Sequence, residues 1–447
     1  MSVTQSMQQY QAILEQEVPV LARETGAVKR SRTNGLDAVT LVSAIIFGFW
    51  QDPELRLSGL AQVAGRREVQ VTPSAICQRF TAELAELLLQ VLQRFTQVRL
   101  ESEAVEIPLL KHFSAVIVED SSTISLPASL AEIWRGCGAS MKTSEAALKL
   151  FVWWNVLTGE VLGPRLTPAR TNDHRSPFSE QELPVGALYL ADLGFFGILR
   201  LLKMARGRKG KRYFVSRLQA KTSLYTRSGH LLDLHGLLPQ KVGEVRDLGA
   251  VLGQRNGLPI RLILVKVPQE VVDERRARLT RTAGKHGRLP SEESLYLAQW
   301  TIVITNLSRQ RADFSEVLVL LRLRWQIERL FRLWKEGGKI DEWRTKNPQR
   351  ILAELYGKLC AMLLQQALIQ EGCWLDPARS IVKAAAALRR EANRLMVAFY
   401  EGEVHKTVVS IVRSVRSGCQ LDRRAAHPST AQLLADGLDW TLELLLT

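Results

Sequence analysis

Short apolar runs of β-type that end in an acid constrain this chain more than any other feature. Ala115 to Glu119 leads into Asp120 within AVIVEDSST, and Ala187 to Ala191 leads into Asp192 within ALYLADLGFF. A third acid, Glu328 in LRLRWQIERLFRLWK, sits where apolar residues recur with helical period. Strand ends and a helix can bring distant acids together, so the three read as one metal site. Two Mg²⁺ ions held roughly 3.5 to 4 Å apart by carboxylates activate water and stabilise a leaving oxygen in phosphodiester cleavage, and such hard cations take oxygen ligands. Taken singly, each acid reads more readily as a turn or helix cap, and only together do they point to catalysis.

Arg324, Glu328 and Lys335 are spaced four and seven apart, which on one helix projects them from nearly one face, with Leu321, Leu330, Phe331 and Trp334 on the apolar side. An ordinary surface pair, contributing about 0.3 to 0.5 kcal/mol, has the same spacing. This stretch resembles the signature of the bacterial insertion-sequence-four group of DDE transposases: Tyr, two residues, Arg, three residues, Glu, six residues, Lys. Leu321, Arg324, Glu328 and Lys335 occupy those positions, with Leu321 where the family has tyrosine. The EDSS around Asp120 and the DLGFF from Asp192 are similar to the group's first two acidic motifs, and the likeness runs from about residue 25 to about 370.

The resemblance implies a mixed α+β fold, a ribonuclease-H-like core interrupted by a β-rich insertion. It implies Asp120, Asp192 and Glu328 as catalytic residues holding two Mg²⁺ ions, with Mn²⁺ able to substitute. It also implies Arg324 and Lys335 on phosphates of the transposon end, and Arg217, which closes the YFVSR run, as a DNA contact. In members that cut through a hairpin intermediate, a tryptophan in a strand of the insertion stacks on a flipped base. Trp300 in QWTIVITNL is the matching candidate, although an alternating strand equally places a Trp in the core; such stacking contributes about 1 to 3 kcal/mol per base.

Sixty Lys and Arg against 45 Asp and Glu give a net charge of +15 and a pI near 9.8, which points to a polyanionic partner. Five cysteines, at 77, 137, 360, 373 and 419, show neither pairing nor zinc-type spacing, the pattern of a reduced, cytoplasmic and here nucleoid-associated protein. No stretch reads as a secretory signal, and the longest apolar run, Ala38 to Trp50, is too short to span a bilayer.

The first hundred residues read as helical: Leu36 to Trp50, Leu57 to Ala64, Pro73 to Phe80 and Leu84 to Val98. The middle pair resembles a helix-turn-helix, with REVQV as the turn and Thr72 capping a helix that begins at Pro73. Ser74, Gln78 and Arg79 then become candidates for base or phosphate contact, against a plain helical hairpin. Upstream, Arg23, Lys29, Arg30 and Arg32 suit phosphates or a solvated tail.

From Ser114 the order is mixed: strands at Ser114 to Glu119, Ala147 to Leu157, Glu160 to Thr167, Ala187 to Ala191 and Tyr213 to Arg217, with a helix from Phe195 to Ala205. The Asn172, Asp173, His174 cluster offers metal-type donors but reads more readily as a loop cap. The run KMARGRKGKR, residues 203–212, carries six cations and no acid, so Arg208, Lys209, Lys211 and Arg212 are candidates for a DNA clamp, or a solvated loop. Thr222 to Asn306 is rich in β-type runs, an inserted subdomain, with Arg275 to Pro290 as an exposed loop. The resemblance implies a C-terminal region that brings two transposon ends together by dimerisation, which makes Ile381 to Tyr400 a candidate partner helix; plain packing explains it as well.

The expected organisation is a helical DNA-binding domain (1–110), a core in two parts (111–220 and 308–372) around the insertion (221–307), and a helical C-terminal region (373–447). The expected function is a transposase that binds the terminal inverted repeats of its insertion sequence as a homodimer, cleaves with Mg²⁺ and joins the ends to target DNA. Two alternatives remain at this point: a catalytically inactive, transposase-derived DNA-binding protein or repressor, and a stand-alone metal nuclease.

Overall fold

A computed structural model describes residues 3–27, 35–100, 103–138, 145–207, 210–254, 257–284, 287–376 and 378–421. The N-terminal run folds into α1 (Val3–Ala12), α2 (Val18–Glu24), α3 (Ala38–Gln51), α4 (Leu57–Gly65), α5 (Pro73–Cys77) and α6 (Ala82–Phe95). Local chemistry sets the starts. The Asp37 carboxylate accepts from the Thr40 amide at 2.6 Å to open α3, and the Thr72 hydroxyl accepts from Ala75 at 3.2 Å ahead of Pro73. Helix α3, the longest apolar run of the sequence, is buried from Ala38 to Trp50.

The next segments build β1 (Val116–Leu126), β2 (Ala146–Asn155), β3 (Val161–Pro168), β4 (Leu188–Ala191), α7 (Ile198–Ala205) and β5 (Tyr213–Arg217). They are followed by β6 (Leu224–Tyr225), α8 (Leu234–Leu237), β7 (Val245–Leu252), β8 (Leu258–Lys266), α9 (Gln269–Gly284), α10 (Glu292–Leu297) and β9 (Trp300–Thr305). All the strands form one sheet in the order β3-β2-β1-β4-β5-β9-β8-β7-β6. Strands β1 to β3 pair antiparallel, and β4 and β5 add parallel to β1. That is the ribonuclease-H-like arrangement. The strands of the insertion extend the same sheet, because β9 pairs antiparallel with β5 and β8 with β9. Residues 275–284, expected as part of a loop, are the second half of α9. Its Ala, Leu, Arg and Glu content favours helix even without an apolar stripe.

The chain closes with α11 (Phe314–Leu323), α12 (Gln326–Arg332), α13 (Pro348–Ile369), α14 (Ile381–Glu401) and α15 (Val404–Gly418). Helices α6 and α3 pack on α13, α14 packs on α3 and α15, and α1 packs on α15. One apolar core runs from Val3 to Cys419, so the N- and C-terminal helices share a layer on one face of the sheet. The inward side of α14, with Leu388, Leu395 and Phe399, is spent in that layer. A second core, with Tyr189, Phe195, Met204, Phe214 and Trp300, lies on the other face under α7 and the insertion. Among the described residues no helix is long and apolar enough to cross a membrane.

Candidate active site

Strand alternation decides which charges can meet. On β1, Val116 and Val118 face the helical layer and Ile117 faces the second core; on β4, Leu188 and Leu190 face the layer; on β5, Val215 does. Asp120, Asp192 and Arg217 have the parity of those layer-facing residues. The parallel register pairs Glu119 with Ala191, which sets Asp120 beside the position where β4 gives way to Asp192. Strand β1 itself runs on to Leu126, so Asp120 stands in mid-strand rather than at the end expected from sequence.

The third acid arrives on α12, which packs against β1. The stretch expected as one helix is broken at Arg324 and Trp325, which lie between α11 and α12, and it ends in a π-turn, Leu333–Gly337. The break turns the buried Arg324 guanidinium inward, where its Nη1 lies 3.9 Å from an oxygen of Asp192 and 3.9 Å from an oxygen of Glu328. The Asp192 side chain makes no cap bond to the turn that follows it, so the capping alternative does not account for it. The π-turn carries Lys335 away from the face of Arg324 and Glu328 to β1. There its ammonium donates to the Thr123 carbonyl at 3.1 Å and lies 3.8 Å from Asp341.

The electrostatics tie the acids together. Burial pushes the Asp120 carboxyl up to about 7, with Asp192 and Glu328 adding like-charge repulsion, against the pull of the Ser121 amide at 2.8 Å and of Arg324. Glu328 is also raised, first by burial, while Arg324, Arg278 and Arg332 pull it down and Asp192 pushes it up. Arg217, at the end of β5, is held below its usual value by burial and then by Arg324 and Arg278. The donor set is carboxylate oxygen alone, which suits Mg²⁺ or Mn²⁺ rather than zinc. Among the described residues, no three His, Cys, Asp or Glu side chains stand close enough to hold one ion.

Residues 111–364 match the family model described as a transposase DDE domain. The chain belongs to the DDE transposases. It is 26% identical over 367 residues to the transposase of insertion sequence element IS231C from Bacillus thuringiensis subsp. berliner, a match covering 77% of this chain and 75% of that one. It is 24% identical over 377 residues to the IS1151 transposase of Clostridium perfringens, covering 79% and 78%. Among solved structures, a piggyBac transposase synaptic complex with hairpin DNA aligns over 95% of this chain and 87% of that one, at 10% identity and a TM-score of 0.48. A DDE transposase works on DNA and, as a family, uses divalent metal.

Several expected DNA contacts lie elsewhere than the sequence implied. Trp300 is 5% exposed, and its indole N–H donates to the Pro239 carbonyl at 2.9 Å. It is a core residue with no free ring face. Arg212 is buried and donates to the carbonyls of Leu183 and Gln181, ahead of β4, and of Gly210 in its own loop. Its neighbour Lys211 is exposed, with its ammonium 5.6 Å from the Tyr213 ring. Arg208, Lys209, Lys29, Arg30 and Arg32 lie outside the described residues. Helix α5 stops at Cys77, three residues before Phe80, so Gln78 and Arg79 follow the helix rather than line it; Gln78 is exposed and Arg79 half-buried.

Other residues near the acids were misassigned or passed over in the sequence. Asp173 caps nothing; its Oδ1 accepts from Ser121 at 2.8 Å and from the Lys149 ammonium at 3.1 Å. A Cβ on Gly194 would meet Asp173 Oδ2 at 2.7 Å, so Asp173 touches both acid-bearing segments. On the far face of β1, the fully buried Glu119 accepts from Ser176, Tyr189 and, at 2.7 Å, Arg200 of α7. Trp325 is half-exposed, with the Arg324 guanidinium 4.7 Å from its ring centre and the Arg278 guanidinium 5.3 Å from it. The polar residues after Pro168 were a visible sign of Asp173; the Trp beside Arg324 was a sign of Trp325.

Proposed function

We propose that this chain recognises the terminal inverted repeats of its own insertion sequence, cuts the DNA with Mg²⁺ and transfers the freed ends into target DNA. The observation that carries the reading is the Arg324 guanidinium shared at 3.9 Å between Asp192 and Glu328, with Asp120 coupled to both. A guanidinium shared by Asp192 and Glu328, and the charge of both felt at Asp120, support a common patch for the three acids. In the proposed role Asp120, Asp192 and Glu328 hold a pair of divalent ions. When bound, such a pair supplies an activated water or 3′-hydroxyl and charge on the departing oxygen. Engagement of all three acids asks Glu328, whose side chain is 40% exposed, to swing off Arg324 toward Asp120.

Arg324 is then released to grip a phosphate with its planar fork, and Arg217 faces the same patch from β5. Lys335, at the β1 edge, offers a point charge to the backbone further along. Trp325, half-exposed where Trp300 is buried, holds the guanidiniums of Arg324 and Arg278 beside the acids. The helix pair α4 and α5, with Ser74, Gln78 and Arg79, remains the candidate for recognising the repeats. A homodimer on DNA requires a surface other than the inward side of α14, which the chain's own core occupies. An excision assay tests the reading: a marked element bounded by its repeats should be lost from a donor plasmid and recovered in a target only with active protein. Retardation of repeat DNA without any released fragment would instead make the chain a binder.

A further inference from the structure

Helix α9 is hard to explain by packing. Of its sixteen residues only Val272 is buried, and a helix polar nearly all round usually bridges to something else. Its acids, Glu270, Asp273 and Glu274, lie in the first half, and four arginines follow: Arg275, Arg276, Arg278 and Arg281. Arg275 is anchored, donating to the Ala298 and Trp300 carbonyls and at 2.8 Å to the Thr301 hydroxyl. Arg276 donates to the Leu295 carbonyl. Arg278 is different. It is exposed, has no carboxylate within 4 Å among the described residues, and sits over the Trp325 ring that also contacts Arg324.

We propose that Arg278 is a DNA-contacting residue of the active site, delivered by the insertion, which takes a backbone phosphate of the strand lying across Glu328. Three guanidiniums, Arg217, Arg278 and Arg324, then flank the acids from β5, α9 and the α11–α12 break. Their mutual repulsion is relieved by a phosphodiester, whose oxygens accept several N–H donors at once. Trp325 keeps the Arg278 fork flat and pointed at the patch, as cation–π contact holds a guanidinium over a ring. The role of the insertion follows: through Arg278 it brings a cation to the catalytic patch beside the start of α12.

This inference rests on the reading of the chain as a DNA-cutting transposase, and the test separates the two. Binding of a random-sequence duplex is measured without divalent ion at a series of salt concentrations for the wild type, Arg278→Ala and Arg278→Lys. Cleavage of repeat-bearing DNA is followed alongside. Loss of one phosphate contact should lower the log–log salt slope by about 0.9 and weaken binding about tenfold at low salt. Arg278→Lys, which keeps the charge but not the fork, should restore the slope while recovering only part of the cleavage rate. An unchanged slope in Arg278→Ala overturns the proposal, even if cleavage or thermal stability falls, since that pattern belongs to a residue that only packs on Trp325. Arg278→Gln serves if Arg278→Ala loses its fold. Absence of cleavage by the wild type would sink the transposase reading, while the salt slope would still decide whether Arg278 meets phosphate.

Discussion

Asp120→Asn should make this protein more stable while removing its proposed activity. The amide matches the carboxylate in size but carries no charge into a site where burial and two neighbouring acids oppose it. Asp120 rises from an ordinary value near 3.8 to about 7 in the folded chain. Between those values the folded state binds the proton and the unfolded state does not, so stability falls as pH climbs through that window. At 1.36 kcal/mol per unit, the upper bound on the strain removed by the amide is about 4 kcal/mol above pH 7, about 2 at pH 5, and near zero below pH 4. Urea unfolding of both proteins in chelator at pH 5 and pH 8 reads the difference directly. Millimolar Mg²⁺ should then stabilise the wild type at pH 8 and leave Asp120→Asn where it was, because a ligand that binds only the folded state adds stability by mass action. A variant no more stable than wild type at pH 8, or equally stabilised at both pH values, would refute the argument that Asp120 is held charged at a cost.

Other substitutions separate structure from chemistry. Arg200→Ala should cost about 3 to 5 kcal/mol in denaturant unfolding, because it strands the buried Glu119 carboxylate, and a further Glu119→Gln change should return much of that loss. Gly194→Ala places a methyl 2.7 Å from Asp173 Oδ2, so DNA cleavage should fall at least about tenfold with a circular dichroism spectrum like that of wild type. Trp300→Ala should lose about 3 to 5 kcal/mol of stability as a core truncation, whereas Trp325→Ala should spare the melting temperature and slow cleavage.

Much of the site was legible in the sequence because strand alternation is a strong rule. Once Val118 and Leu190 face the helical layer, Asp120 and Asp192 must follow them, and five strand-like runs in this order leave few sheet topologies. The break at Arg324 was invisible. Leucines on both sides keep the same helical period, so the pattern continues across a turn that no Gly or Pro marks, and only packing reveals it. Lys211 and Arg212 show the limit of composition: adjacent members of one cationic run, the first exposed and the second buried on three carbonyls. Trp300 failed for a related reason, since an alternating strand cannot say which of its faces meets solvent when helices cover both. Helix α9 escaped because it has no apolar stripe for periodicity to find, and its arginines looked like a loop's.

Asp192→Ala tests the central claim most directly, in a cleavage assay with end-labelled repeat DNA and Mg²⁺, run beside a binding assay on the same DNA. The account predicts that strand cutting disappears while the affinity for DNA stays within a few-fold of wild type. Cutting at an undiminished rate would contradict the convergence of these three acids on the reaction.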